Sequence, residues 1–358
     1  TFDIAVIEGD GIGPEVTREA IRSVEAAAAL DDAAFEWNSY PWGTDHFFEH
    51  GQMAPDDFLD TLAKHDAILL GAVGHPDVQD HLTLNGLLLP IRRQFDQCVC
   101  LRPSYLYDGV ESPLRDKAPG SIDIQVFREN TEGEYANVGG RLYADRPHDV
   151  AVQTSVFTRH GCRRIIQAAF EKATARPARQ VASITKSNAQ GYGMVLWDEV
   201  FEDVAAGFPD IQTESLLIDR AVMEFVRRPE SFDVVVASNL FGDILTDLAA
   251  IVVGSMGLAA SANIDPTRTH PSMFEPVHGS APDIVGQGIA NPLAAILSAA
   301  MMLEHLELPH AARAINDAVK TQLSDRGPRT PDLGGNATTR ETGEAIAARI
   351  ASSPENAG

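Results

Sequence analysis

Asp243 and Asp247 stand four residues apart in the stretch FDVVVASNLFGDILTDLA, residues 232–249. Residues 233–237 are a short, largely β-branched apolar run of the kind that makes a buried strand. Ser238-Asn239 breaks the run, and the residues beyond it read as helix. Positions i and i+4 share a helical face, so both carboxylates point the same way just beyond a strand end. Two like charges so placed repel unless a cation or a proton lies between them. Hard carboxylate oxygens suit Mg²⁺ or Mn²⁺, which keep open or water-filled positions for a substrate. A solvated helix face would carry the same spacing. Apolar Ile244, Leu245 and Leu248 around the pair argue instead for a half-buried site.

Other groups could join such a site. Arg92 and Arg102 are ten residues apart among Leu88, Leu89, Ile91, Phe95, Val99 and Leu101. Surface charge fits that spacing equally well, but sheltered guanidiniums would grip a carboxylate bidentately. The run Arg128-Glu-Asn-Thr-Glu-Gly-Glu-Tyr135 leaves a strand predicted at residues 121–127, where open α/β sheets put their sites. Lys186 follows a strand predicted at residues 180–185, in a chain with only five lysines. A lysine at a buried strand end can act as a base, and a structural ion pair fits the same place. Asp219 precedes a helix predicted at residues 221–227, where N-capping alone would account for it.

The elements that must position these groups alternate between strand and helix, an α/β class. Further strands are predicted at residues 3–7, 67–71 and 150–157. Helices are predicted at 15–30, 161–175 and 292–305, the last apolar almost all round, and on the surface at 311–323 and 341–350. The first strand runs into glycines at 9, 11 and 13 followed by Pro14, so G-x-G-x-x-G is not met, and Glu36 is poorly spaced as a ribose acid. A tight turn opening a helix is expected there, not a Rossmann dinucleotide fold.

At 358 residues the chain can bury one large or two ordinary domains. Net charge is −23, from 51 acidic and 28 basic residues, which argues against nucleic-acid binding. No apolar run is long enough to cross a bilayer and no basic leader precedes the first strand, so no membrane partner and a cytoplasmic place are expected. Cys98, Cys100 and Cys162 lack metal spacing and read as buried thiols of a reducing compartment. An acidic, lysine-poor surface suits a halophilic protein, because concentrated salt screens its self-repulsion.

Six motifs in order give the chain a resemblance. IEGDGIGPEV, LRP, RENTEGEY, TKSN, SNLFGDILTD and FEPVHGSAPDI with ANP look like the signatures of the β-decarboxylating dehydrogenases. That family comprises isocitrate, isopropylmalate, homoisocitrate and tartrate/D-malate dehydrogenases. The resemblance implies an isopropylmalate dehydrogenase-like two-domain α/β fold, a large mixed sheet flanked by helices and not Rossmann. Residues 1–98 with 255–358 would bind the cofactor, and residues 99–254 would bind substrate and metal and form the dimer. It also implies that Arg92, Arg102 and Arg128 hold substrate carboxylates and that Tyr135 and Lys186 transfer protons. Asp219, Asp243 and Asp247 would ligate Mg²⁺ or Mn²⁺. Lys186 and Asp219 would serve the neighbouring subunit's active site, making a homodimer the working unit. His278, Gly279, Ser280, Ala281, Asp283 and Asn291 would bind the cofactor. Asp283-Ile284 implies NAD, since relatives that use NADP tend to carry Lys-Tyr there and a carboxylate repels a 2′-phosphate.

Such chemistry suits the residues. Oxidising a 2-hydroxy acid needs a base at the hydroxyl and a cation on its oxygens, and losing the β-carboxylate leaves an enolate that an acid must protonate. The segment before Arg92 should meet the rest of the substrate. Isocitrate enzymes commonly place Ser and Asn six and four residues ahead of that arginine, and here Gly86 and Leu88 stand there. Burying a third carboxylate against them unpaired would cost several kcal/mol, which argues against isocitrate. Seven ahead is Asn85, where isopropylmalate enzymes commonly have Glu and tartrate/D-malate enzymes often Trp. Leu88 and Leu89 could line an isopropyl pocket, whereas RENTEGEY matches the tartrate/D-malate group. D-malate or tartrate is therefore the expected substrate and 3-isopropylmalate the alternative. A catalytically silent regulatory subunit of the same fold is disfavoured by the retained Tyr135, Lys186, Asp219, Asp243 and Asp247.

Overall fold

The strand-forming runs assemble largely into one sheet. The computed structural model describes residues 1–352. In chain order the strands are β1 (Phe2–Gly9), β2 (Phe35–Ser39), β3 (Ala67–Ala72) and β4 (Val99–Tyr105). Then come β5 (Asp123–Glu129), β6 (Gly139–Leu142), β7 (Val150–Gln153) and β8 (Gln180–Thr185). The last are β9 (Gln212–Leu217), β10 (Val234–Ala237), β11 (Ala260–Ile264) and β12 (Ser272–Pro276). Ten of them form a sheet ordered β2-β1-β3-β12-β11-β4-β5-β10-β8-β9, and β6 pairs with β7 alone.

The sheet is mixed. Neighbours are parallel from β2 to β12 and from β5 to β9, and antiparallel at β12–β11, β11–β4 and β4–β5. Helices cover both faces, which is why β3 and β10 are buried at every residue and read as unbroken apolar runs. One apolar cluster draws on residues from Cys98 to Val253, including Trp197, Phe170 and Phe225. Another joins the helix Gly13–Ala27 to the helices Leu293–His305, Pro309–Ser324 and Thr339–Ala351. Ile264 packs against both clusters, at the β11–β4 border.

The glycine turn after β1 has a mechanical cause. A Cβ on Gly9 (φ +69°) would lie 1.9 Å from the Ala72 carbonyl oxygen, and one on Gly13 would lie 2.1 Å from that of Glu8. Asp10 then accepts bonds from Thr44 N, Thr44 Oγ1 and Gly74 N, tying the exits of β1 and β3 together.

Some expected elements change. The strand expected at 150–157 stops at Gln153, because β7 pairs only with the short β6. The helix Pro309–Ser324 is half core, with Ile315, Val319 and Leu323 buried. Asp219 lies inside the first turn of the helix Ile218–Arg227, whose N-cap position is Leu217, so it does not cap it. β2, β4, β6, β9, β11 and β12 are not among the strands expected from the sequence. All three cysteines are free and buried, and burial pushes the Cys98 and Cys162 thiols up to about 12. Among the described residues no helix is long and apolar enough to cross a membrane.

We propose that the net charge of −23 is tuned to concentrated salt. The melting temperature should rise between dilute buffer and molar KCl, where the Debye length is about 3 Å. A melting temperature unchanged across that range would refute the adaptation.

Candidate active site

Cross-strand register places the site. Antiparallel pairing sets Arg128 opposite Cys100 and Cys100 opposite Asn263. Arg102, two residues beyond Cys100, shares its face, and Ser261 stands opposite Glu275. The alternation of four strands therefore delivers Arg128, Arg102, Asn263 and Glu275 to one face at the centre of the sheet. The helix Asn239–Val252 lies over that face. Its Gly242 permits the approach, since a Cβ there would come within 2.6 Å of Arg128 Cβ.

A cavity of about 180 Å³ results, lined among others by Arg92, Arg102, Arg128, Tyr135, Asp243 and Glu275. The three arginines are 5%, 6% and 1% exposed, so they are not surface charge. Arg92 Nη2 donates to Glu275 Oε1 at 2.7 Å, while its buried Nε has no partner among the described residues. Arg102 Nη1 donates to Thr246 Oγ1 at 2.8 Å and to Asp243 Oδ1 at 3.4 Å. Arg128 Nη1 pairs with Asp243 Oδ1, and its Nε and Nη2 donate to Asn239 Oδ1 at 3.1 and 2.8 Å. Tyr135 Oη donates to Asp243 Oδ2 at 2.7 Å.

The electrostatics follow from this crowding. Burial pushes the Asp243 carboxyl up, but the Arg128 and Arg102 guanidiniums outweigh it and hold it below the ordinary carboxylate range. Asp247 is raised, by the protein packed round it and by the Asp243 charge, although its side chain still reaches solvent. Burial, then the Asp243 charge, push Tyr135 up to about 12, so its hydroxyl stays a donor at neutral pH.

Lys186 and Asp219 are elsewhere. They leave the ends of β8 and β9, pair with each other, and do not line the cavity. The Lys186 ammonium holds the Asp219 carboxyl below its usual range. Among the described residues no three His, Cys, Asp or Glu side chains stand together as a metal site. The hard carboxylate oxygens of Asp243 and Asp247 are the donor type that suits Mg²⁺ or Mn²⁺.

Residues 84–88 form a π-type turn, and its Leu84 and Leu88, four apart, line the cavity with Leu89. Asn85, one step round the turn, is exposed and donates to His81 O at 2.8 Å, so the structure removes it from this chain's cavity wall. Leu84 takes its place.

The loop after β12 carries an unsatisfied buried acceptor. His278 and Gly279 line the cavity. Burial lowers the His278 imidazole and keeps it neutral. With Nδ1–H donating to Gly279 O at 3.0 Å, its buried Nε2 is an acceptor with no partner. A Cβ on Gly279 would meet nothing within 4 Å, so the chain itself does not demand glycine there. Ser280 O accepts from Ile12 N at 3.0 Å, seating the loop on the glycine turn, and Ala281 adopts φ +44°. Asp283 is exposed, as a ribose partner would need to be. Asn291 instead donates to Asp332 Oδ2 and accepts from Leu293 N, so its side chain serves the fold. Sequence reasoning missed Glu275, Asn239 and Thr246. The first two lie inside the FEPVHGSAPDI and SNLFGDILTD motifs, and Thr246 follows Asp243 by three on the same face.

The chain matches the family described as isocitrate/isopropylmalate dehydrogenase over residues 3–346. It is 49% identical over 353 residues to the decarboxylating D-malate dehydrogenase of Escherichia coli strain K12, covering 97% of this chain and 98% of that protein. It is 47% identical over 353 residues to a probable tartrate dehydrogenase/decarboxylase of Agrobacterium vitis, covering 98% and 97%. Among solved structures it superposes with a TM-score of 0.89 on isocitrate dehydrogenase from Methylococcus capsulatus, at 34% identity, covering 98% of this chain and all of that one.

Proposed function

The chain belongs to the isocitrate/isopropylmalate dehydrogenase family, and from that premise we propose that it converts D-malate to pyruvate and CO₂, or acts on tartrate, with NAD⁺ and Mg²⁺ or Mn²⁺. It is a decarboxylating dehydrogenase. The observation that carries the substrate class is the convergence of three buried guanidiniums on one small cavity, with Arg92 Nε still unpartnered. Such a cavity suits a compact dicarboxylate. Its leucine wall (Leu70, Leu84, Leu88 and Leu89) offers no side-chain donor to a third carboxylate. The same leucines favour a second reading, 3-isopropylmalate, whose branched chain they would cover.

The residues divide the work. Arg92, Arg102 and Arg128 fix both carboxylates of the substrate, which sets the bond that will break. Lys186 of the partner subunit takes the hydroxyl proton. Tyr135 returns a proton to the carbon that loses CO₂, and its contact with Asp243 keeps the hydroxyl aimed into the cavity. Asp243, Asp247 and Asp219 of the partner subunit would hold the divalent cation, which would supply positive charge, and the loop at residues 278–283 would hold NAD⁺, which would supply the hydride acceptor.

The dimer is part of this proposal. The β6–β7 hairpin exposes every residue, with Leu142, Val150 and Val152 bare, and an isolated hairpin is at best marginal in water. Met223, Val226, Ile244 and Ile251 expose a second apolar face on the helices Ile218–Arg227 and Asn239–Val252. We assign residues 99–254 to substrate, metal and dimer contacts, and residues 1–98 with 255–358 to the cofactor.

The test is one matched panel in high salt. D-malate, L-tartrate, 3-isopropylmalate and isocitrate are offered with Mn²⁺ and either NAD⁺ or NADP⁺, with and without EDTA. D-malate or tartrate should be preferred, and activity should vanish with EDTA. NAD⁺ should be favoured at least about tenfold, roughly 1.4 kcal/mol. A kcat/KM for 3-isopropylmalate about ten times that for D-malate, again ~1.4 kcal/mol, would transfer the assignment to leucine synthesis.

A further inference from the structure

We propose that Glu134 is a positioning residue that sets the Asp243-bearing helix against Tyr135, an inference that rests on the decarboxylating reading above. The helix Asn239–Val252 begins without a cap from its own side chains, although Ser238 occupies the N-cap position. The Ser238 hydroxyl turns away from the first helical amides and donates to Glu134 Oε1 at 2.8 Å. Leu240 N donates to Glu134 Oε2 at 3.1 Å. A carboxylate from 106 residues away in sequence thus caps the positive end of the helix dipole.

The next residue completes the link. Tyr135 Oη reaches Asp243, one turn into that helix, and Tyr135 O accepts from Arg93 Nη2 at 2.9 Å. Arg93 belongs to the helix Leu89–Gln94, which also carries Arg92. The dipeptide Glu134-Tyr135 therefore ties together the two helices that supply Asp243 and Arg92. The other acids of the segment face different partners. Glu129 accepts from Thr131 and Glu132 amides, and Glu132 accepts from Thr158. Glu132 also reaches the start of the Asp243 helix, but through its backbone carbonyl, which accepts from Asn239 Nδ2 at 3.2 Å, whereas Glu134 bonds it through its carboxylate. Without that carboxylate, Tyr135 and Asp243 keep their mutual bond but lose their common placement. A displacement near 1 Å can cost about 10²-fold in rate.

Glu134→Ala and Glu134→Gln are compared with wild type in the full-length dimer. The readouts are kcat, KM for D-malate and NAD⁺, direct Mn²⁺ binding by electron paramagnetic resonance, and melting temperature. The alanine variant should lose about 10- to 100-fold in kcat and a similar factor in Mn²⁺ affinity, the range for groups that orient metal ligands. Its KM for NAD⁺ should not move. Glutamine should restore both to within about threefold, because its carbonyl still accepts from Leu240 N while its amide donates to Ser238 Oγ. Wild-type kcat and Mn²⁺ affinity in a less stable alanine variant would overturn the proposal, as would equal losses in both variants. Should the alanine variant not fold, Ser238→Ala removes one of the two bonds and should show the same split at smaller size. Wild-type values there would count against the proposal. A wild-type protein that binds no Mn²⁺ and reduces no NAD⁺ would instead overturn the functional reading, so the two failures are distinct.

Discussion

Asp243→Asn should lower kcat by at least about 10³-fold, the upper range for removing a group that stabilises developing charge. Asp243 is the residue on which the site converges, accepting from Arg128, Arg102 and Tyr135. The substitution should also weaken the fold, because Asp243 is the counter-charge of two buried guanidiniums. Removing one partner of a fully buried pair costs about 3–5 kcal/mol. The Asp243 side chain is 36% exposed, so solvent screening brings the expected loss down to about 1–3 kcal/mol. Asp247→Asn supplies the contrast. Among the described residues Asp247 has no arginine within ion-pair distance, and it reaches solvent, so that variant should lose activity while keeping the wild-type melting temperature. Turnover by Asp243→Asn at the wild-type rate in EDTA would remove the metal assignment.

Mixing two dead variants should restore activity. Lys186 and Asp219 pair with each other away from the cavity that holds Asp243. If a second subunit brings Lys186 to that cavity, Lys186→Met and Asp243→Asn damage different halves of each shared site. A two-fold dimer carrying one of each has one site with both defects and one with neither. Random exchange makes half the dimers mixed, so an equal mixture should recover about a quarter of wild-type activity. The mixture is unfolded and refolded together, and kcat per site is compared with each variant refolded alone. Recovery no greater than the sum of the two variants would refute the shared site and place Lys186 in a structural ion pair. Because both variants keep Tyr135 and all three arginines, the result does not depend on which 2-hydroxy acid is used.

How much of the molecule is legible in its sequence depends on the range of the interaction concerned. The helix after β10 and the shared face of Asp243 and Asp247 are local, set by a β-branched run, a Ser-Asn break and helical periodicity. The glycine turn is correctly separated from a dinucleotide fingerprint, because its spacing reflects close approach to neighbouring backbone carbonyls. Motif order reaches further and predicts the family and the mixed sheet, and it names Arg92, Arg102, Arg128, Tyr135 and Asp243, which the fold brings to one cavity. It does not show that Asn85 lies outside this chain's cavity, since the π-type turn at residues 84–88 decides which of five adjacent side chains faces inward.

Residue types and spacing by themselves raised a hard-cation site at Asp243 and Asp247, while the resemblance carried by the ordered motifs is what implied arginines for carboxylates and a tyrosine and a lysine for protons. Only the tertiary structure decided which arginines are buried and what Asp243 neutralises. A strand's alternation states that Arg102 and Glu275 each face one side, but not that β11 lies between β4 and β12 and brings those sides together. Strand order is a property of non-local pairing, which no local pattern encodes. The same holds for Glu134 and Leu240, 106 residues apart and joined by one hydrogen bond at the start of a helix. The sequence contains the charge and the helix, and the fold alone makes one the cap of the other.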